Sequence, residues 1–304
     1  MHGIRKSDVP KTPEEEAAVA EHVKQYKEIS SQVMALKSAK QFDKHALKLS
    51  GLLVVLNPEF WIIWAFRRDA ILHLVESDSS LKQELGEAEA KVTMEALMKN
   101  PKSYSAWFQR QWIVDQGMVT VEKELRLCDA LLNQDERNFH CWNYRRYLSK
   151  LANVSPQDTL GFTASKITQN FSNYAALHQR TLLLPTPLTT EVLHEEIEMV
   201  MQAVFTEPYD QSNWFYYRWL VRSLNPLTEE FFVEQTSWIE SLIQEEPKAK
   251  FAWIMLAFVL ERAIDAQLQD TAALSARCKD IYVSLQTVDS DHEHYYKDRV
   301  ARLL

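Results

Sequence analysis

A tryptophan followed three residues later by an arginine recurs along this chain, and the recurrence limits the fold more than any other feature. Six stretches align with one another: NPEFWIIWAFRRDAI from Asn57, NPKSYSAWFQRQWIV from Asn100, DERNFHCWNYRRYLS from Asp135, NFSNYAALHQRTLLL from Asn170, EPYDQSNWFYYRWLV from Glu207 and EPKAKFAWIMLAFVL from Glu246. Their anchor position reads Trp64, Trp107, Trp142, Leu177, Trp214 and Trp253, at spacings of 43, 35, 35, 37 and 39 residues. That period is the length of a helix–turn–helix unit, and self-similarity at such a period marks a repeat architecture.

Each unit carries the same internal logic. A first helix is amphipathic; in the second unit Leu85, Ala88, Val92 and Leu97 predict its buried face. An Asn-Pro, Asp-Glu or Glu-Pro junction stops it, because proline disfavours helical geometry in the residue before it. Four of the ten prolines, Pro58, Pro101, Pro208 and Pro247, occupy this place. The second helix carries the anchor and the arginine on one face. The anchor rings are expected in the core between neighbouring hairpins, each burying roughly 150–250 Å². Arg67, Arg110, Arg145 and Arg180 are expected to bond carbonyls or carboxylates at the hairpin junctions, since a half-buried guanidinium needs partners.

Composition narrows the class further. Only five glycines are present, none after Gly161, and 143 glycine-free residues argue against a barrel or doubly wound sheet rich in tight turns. No Gly-rich phosphate loop can be built, so any phosphate must be held by side chains. The net charge of −8 does not favour nucleic acid. Cys128, Cys141 and Cys278 are odd in number and lack CxxC spacing. With no signal peptide and no apolar run of about twenty residues, a cytoplasmic chain without membrane insertion is expected. The prediction is an all-α chain: a right-handed crescent, or solenoid, of stacked antiparallel helical hairpins forming a single helical-repeat domain over 1–304. Residues from about Glu14 to Leu56 supply leading helices, and Ala272 to Leu304 a capping helix or two.

The motif NPxxYxxWxxR, repeated at this spacing over nearly the whole chain, resembles the α subunits of the protein prenyltransferases. MHG at the N terminus, NPKSY at 100–104, DERNFHCW at 135–142, NFSNY at 170–174 and DQSNWFYYRWL at 210–220 are most similar to the Rab geranylgeranyltransferase (type II) group. The chain departs from that pattern at Leu177, where a tryptophan is usual, at Tyr217, where the arginine is usual, and in the sixth unit. The immunoglobulin-like insert and leucine-rich repeat domain of animal members are not expected here.

The resemblance implies half of an enzyme. Such an α subunit pairs with a β subunit that holds the zinc and the isoprenoid pocket. Together they transfer geranylgeranyl from geranylgeranyl diphosphate to C-terminal cysteines of Rab GTPases presented by Rab escort protein. Lys102 is then the candidate cation reaching the departing diphosphate; taken alone, a lysine in a turn is a solvated side chain. Tyr104, Asn138 and His140 line the same cleft by resemblance, with His140 meeting phosphate oxygens or the acceptor peptide. N-capping and interface packing are the structural alternatives for them. His2 is a candidate labile zinc ligand that masks the partner's metal. No zinc set is expected within this chain, because His140 and Cys141 point about 100° apart on a helix. Two other functions are alternatives: the α subunit shared by farnesyltransferase and geranylgeranyltransferase type I, which predicts activity on isolated CaaX peptides without an escort protein, and a non-enzymatic TPR-like scaffold, whose period of 34 and consensus differ.

Overall fold

The computed structural model describes residues 12–303. These form fifteen α-helices and two short 3-10 turns, with no strand among the described residues. The chain divides into two compact units, one up to Val154 and one from Ser155. The first holds α1 (Pro13–Ser38) and three hairpins: α2 (Lys44–Leu56) with α3 (Trp61–Ser77), α4 (Lys82–Lys99) with α5 (Tyr104–Asp115), and α6 (Val121–Gln134) with α7 (Phe139–Leu151). The second holds four: α8 (Pro156–Gln169) with α9 (Tyr174–Leu183), α10 (Thr190–Thr206) with α11 (Gln211–Ser223), α12 (Glu229–Glu245) with α13 (Lys250–Asp265), and α14 (Thr271–Val288) with α15 (Glu293–Arg302).

Every hairpin turns in the same way. The first helix ends on a polar C-cap, Asn57, Asn100, Asp135, Asn170, Glu207, Glu246 or Asp289. The carbonyl of that residue accepts the backbone N–H three positions on, at 3.0–3.2 Å, closing a turn whose second position is proline in four of the seven, Pro58, Pro101, Pro208 and Pro247, with φ already set. Seven residues after each cap sits the anchor. Its indole N–H donates to the carbonyl six residues back: Trp64 to Pro58 (2.8 Å), Trp107 to Pro101 (2.9 Å), Trp142 to Glu136 (2.8 Å), Trp214 to Pro208 (3.2 Å) and Trp253 to Pro247 (2.9 Å). The junction proline therefore supplies an acceptor as well as a stop. Trp64, Trp107, Trp142, Leu177 and Trp214 are buried as expected; Trp253 is half-buried.

The C-terminal segment is a seventh unit rather than a plain cap. Tyr296 lies seven residues after Asp289, is buried, and donates its hydroxyl to Asp289 Oδ2 at 2.7 Å. Arg299 follows three residues later and pairs with Glu261. A tyrosine in the anchor position hides the unit from a search for tryptophan.

The repeated arginines join hairpins through the middles of their helices, not at the junctions. Arg67, Arg110 and Arg180 each grip a buried glutamate on the first helix of the next hairpin: Glu89, Glu124 (Nε–Oε2 2.6 Å) and Glu196 (Nε–Oε2 2.8 Å). The same guanidinium reaches back to a carbonyl and a hydroxyl on its own first helix: Leu47 and Ser50, Ala90 and Thr93, Leu160 and Thr163. The glutamate also accepts from the next second helix, from Gln109 (2.8 Å), Tyr144 (2.8 Å) or Tyr216 (2.7 Å). Burial and the Glu124 carboxylate push the Tyr144 phenol well up, so it stays a donor. Arg145 pairs instead with Asp129 on its own first helix, at 2.9 Å.

This changes the buried face expected for α4. Leu85 and Leu97 are buried, but Val92 is half-buried and Ala88 is exposed. Glu89, Ala90, Thr93 and Ala96 face inward instead. The stripe is rotated because two polar residues serve the arginine network, and apolar periodicity alone assigns such residues to solvent.

Candidate functional site

The side chains singled out in the sequence converge at the turns of the second and third hairpins. Asn100 shapes the first of these: its carbonyl accepts from Ser103 N (3.1 Å) and its Oδ1 from Lys102 N (3.2 Å). The backbone of Lys102 is thereby fixed while its side chain is exposed. Ser103 caps α5 and donates its hydroxyl to the Pro58 carbonyl at 3.1 Å. Tyr104, the first residue of α5, is 68% exposed.

Asn138 repeats the role of Ser103 one hairpin on. Its Oδ1 accepts from the backbone N–H of His140 and of Cys141, both at 3.1 Å, and so caps α7. Its Nδ2 donates to the Pro101 carbonyl at 3.1 Å, the acceptor that Trp107 also uses. One carbonyl thus ties the second turn to the third. Asn138 is buried and acts here as a cap and a cross-link.

His140 sits on the first turn that Asn138 caps. Only 6% of it is exposed, and two rings enclose it. The Phe139 ring lies 3.9 Å from it, centre to centre, at 32°; the Tyr104 ring meets it edge-on at 4.3 Å and 86°. Burial pushes its pKa below the ordinary histidine value; Glu59 and a hydrogen bond to the Lys102 backbone pull the other way, and the Lys102 charge adds to the depression. The balance favours the neutral imidazole, and its Nε2 is buried with no hydrogen-bond partner among the described residues. Lys102, Tyr104, Asn138 and His140 are brought together as one cluster, with Glu59 on the neighbouring turn. Phe139 was missed in the sequence, although its place three residues before Trp142 matches that of Tyr104 before Trp107.

That position is a series. Trp61 (68% exposed), Tyr104 (68%) and Phe139 (46%) are the residues three before the anchors of the first unit, and Tyr174 (54%) holds the same place in the second. Each opens its second helix. Large rings left in water at a repeated position mark a surface that another molecule covers. In the second unit, Tyr174, His178, Phe215 and Trp219 also line a groove of ≈ 560 Å³ between α9 and α11.

The described residues do not fit a zinc ion. Among the described residues no three His, Cys, Asp or Glu side chains are grouped to hold a metal. Cys141 is buried with its Sγ 3.6 Å from the Cys128 carbonyl, and hydrogen bonding with Cys141 together with burial pushes the Cys128 thiol well up. A thiol so held does not supply the thiolate that zinc requires. His292 bonds Asp289 at 2.9 Å. His2 lies outside the described residues. No described helix is long and apolar enough to cross a membrane.

Comparison with known proteins agrees with this geometry. The model of the protein prenyltransferase alpha subunit repeat matches residues 87–117, 121–151 and 193–224, which correspond to the hairpins α4/α5, α6/α7 and α10/α11. The geranylgeranyl transferase type-2 subunit alpha of Dictyostelium discoideum is 36% identical over 316 residues, spanning 98% of both chains. The Rattus norvegicus protein of that name is 38% identical over 249 residues, covering 74% of this chain; the match takes in 42% of the rat protein's length. Among solved structures, Candida albicans protein geranylgeranyltransferase-I complexed with GGPP shares the fold, with a TM-score of 0.76 over 92% of this chain and 91% of that one at 20% identity.

Proposed function

Because the chain belongs to the family of type-2 geranylgeranyltransferase α subunits, we propose that it is the α half of a heterodimeric Rab geranylgeranyltransferase. With a β subunit it transfers geranylgeranyl from geranylgeranyl diphosphate to C-terminal cysteines of Rab GTPases presented by Rab escort protein. The observation that carries this reading most is the correspondence with the Dictyostelium protein along 98% of both chains. The hairpins act as one helical-repeat domain in the cytoplasm, and the exposed rings at Trp61, Tyr104 and Phe139 of the first unit are a surface the β subunit covers.

The chemistry asked of this chain is electrostatic. As the bond between the isoprenoid carbon and the diphosphate breaks, negative charge grows on the leaving oxygens. A cation already fixed at that place stabilises the charge without reorganising in the reaction step. Lys102 fits this role because its backbone is pinned by Asn100 while its ammonium stays open. Asn138 and Tyr104 frame the cleft beside it. In this reading the zinc belongs to the β subunit and none is held here.

Escort dependence provides the test. Co-expressed with a β subunit, the chain is expected to prenylate Rab GTPases when escort protein is added and to leave isolated CaaX peptides unmodified. Modification of CaaX peptides without escort would move the chain to the α subunits shared with farnesyltransferase. Failure to form any stable dimer would favour a scaffold.

A further inference from the structure

Five arginines of the second helices pair with a carboxylate: Arg67, Arg110, Arg145, Arg180 and Arg299. Arg218 and Arg222 on α11 and Arg262 on α13 pair with none among the described residues, although the chain carries a net charge of −8. They gather at one ring. The guanidinium carbons of Arg218 and Arg222 lie 5.0 and 5.7 Å from the centre of Phe258, and Arg262 follows Phe258 by one helical turn. Arg262 gives one N–H to the Leu224 carbonyl at 2.7 Å, while Arg218 and Arg222 give none to any described group. The Nε atoms of Arg218 and Arg262 are buried without a partner. Glu261, the acid beside Arg262, is held by Arg299 and by Tyr282. Arg218 stands four residues after its anchor, as Arg68 and Arg146 do; those two bond the side-chain oxygens of Gln109 (2.9 Å) and Asn143 (3.0 Å). A phenyl face attracts cations but carries no net charge, so the cluster on Phe258 still lacks a counter-charge.

The cluster is one end of a longer surface. On α11, Phe215, Arg218, Trp219 and Arg222 stand at i, i+3, i+4 and i+7 and share a face. Phe215 is 53% exposed, and with Trp219 it lines the groove between α9 and α11. Apolar surface and unpaired positive charge thus run together along one helix. A free phosphate would use only the charge; a protein segment with a large apolar side chain about one turn from a carboxylate uses both. Phe215 is one residue after its anchor, and the exposed rings of the first unit are three before theirs. Those positions are four residues apart and lie on the same face of a second helix, so one kind of partner suits both.

We propose that this face of α11 docks an acidic segment of the catalytic β subunit. Its carboxylates take the open guanidinium groups of Arg218 and Arg222, and an apolar neighbour enters the groove beside Phe215 and Trp219. A planar guanidinium binds a carboxylate through two parallel N–H bonds, and a pair partly buried against Phe258 is screened less by salt than one in open solvent. The inference rests on the proposed function for the identity of the partner.

The test measures assembly of the full chain with the β subunit. Arg218→Gln with Arg222→Gln is expected to weaken the heterodimer about tenfold, or roughly 1.4 kcal/mol, at about 0.15 M salt. The affinity of that double variant also depends less on salt, and Phe215→Ala weakens assembly by itself. The melting temperature of the free double variant stays at or above the wild-type value, because like charges have been removed; arginines that serve only to stack on Phe258 predict a fall. In the heterodimer, Arg222→Lys treated with a zero-length carbodiimide links to an aspartate or glutamate of the β subunit. Unchanged affinity of the double variant, a lower melting temperature of its free chain, or no link to the β subunit would each overturn the proposal. So would a double variant that assembles normally and loses only the binding of escort protein or of inorganic diphosphate. A wild-type chain that forms no dimer would instead remove the proposed function. A dimer that passes these tests without prenylating escort-bound Rab would count against that function alone.

Discussion

Lys102 and Asp289 stand at corresponding hairpin turns and carry opposite burdens. Lys102 is exposed and linked to the fold only through its backbone, so Lys102→Ala is expected to lower the single-turnover rate of prenyl transfer with heterodimer assembly intact. Losing one fixed cation in a preorganised site costs about 3 kcal/mol, or roughly a hundredfold in rate; rapid-quench kinetics with prebound substrates read it, and an unchanged rate returns Lys102 to the solvated surface. Asp289 is buried and accepts from Tyr296 (2.7 Å), Lys250 (2.9 Å) and His292 (2.9 Å). Burial raises its carboxyl, but these hydrogen bonds outweigh it and hold the pKa below the ordinary aspartate value. A depressed acid contributes stability above its unfolded pKa and loses it as pH falls through the folded one. Asp289→Asn should therefore lower thermal stability at pH 7 and flatten its acid limb; parallel melting curves across pH for both chains would deny the carboxylate this role. At this scale the sequence was partly legible. The places of Lys102, Asn138 and His140 follow from the motif, but the burial of Glu89, Glu124 and Glu196 does not, since an acidic residue among Glu and Lys reads as solvent-facing until its arginine is found on another helix.

At the scale of the element, the buried Arg–Glu link is the unit of assembly between hairpins. It places three helices in register through one guanidinium, and removing one partner of such a pair costs about 3–5 kcal/mol because the other charge is left buried alone. The chain itself contains the neutral counterpart. Tyr217 stands where the arginine is usual, and Gln235 stands 18 residues before Trp253, as Glu124 does before Trp142 and Glu196 before Trp214. The Tyr217 hydroxyl meets Gln235 Oε1 at 3.2 Å and both side chains are fully buried. Read in isolation, Tyr217 is a departure from the repeat; with Gln235 beside it, charge has been removed from both sides of one link. Gln235→Glu alone is expected to destabilise by about 3 kcal/mol or more, and Tyr217→Arg added to it to recover part of that loss. Urea unfolding of both single variants and the double variant measures the coupling; strictly additive effects would mean the two positions do not form a link. The helices and their turns were readable from proline and the anchors. The seventh hairpin was not, because its anchor is Tyr296 and its turn, Asp289 to His292, has no proline.

For the molecule as a whole, the position three residues before the anchor presents a large ring to solvent at all three hairpins of the first compact unit and at α8/α9 in the second. A core anchor, a buried link and an exposed ring recur together, so the repeat that builds the fold also presents the surface for a partner. The period and anchors made the helical class and the family legible from sequence. The site was legible only in part, because Nε2 of His140 is buried with no hydrogen-bond partner among the described residues and the rings at Trp61, Tyr104 and Phe139 are left largely in solvent. That incompleteness is the central claim, and reconstituting the enzyme from separate subunits tests it most directly. Geranylgeranyl transfer to an escort-bound Rab is measured with this chain alone, with the β subunit alone and with both. The account predicts product only when both are present; transfer by the β subunit alone at the full rate would contradict it.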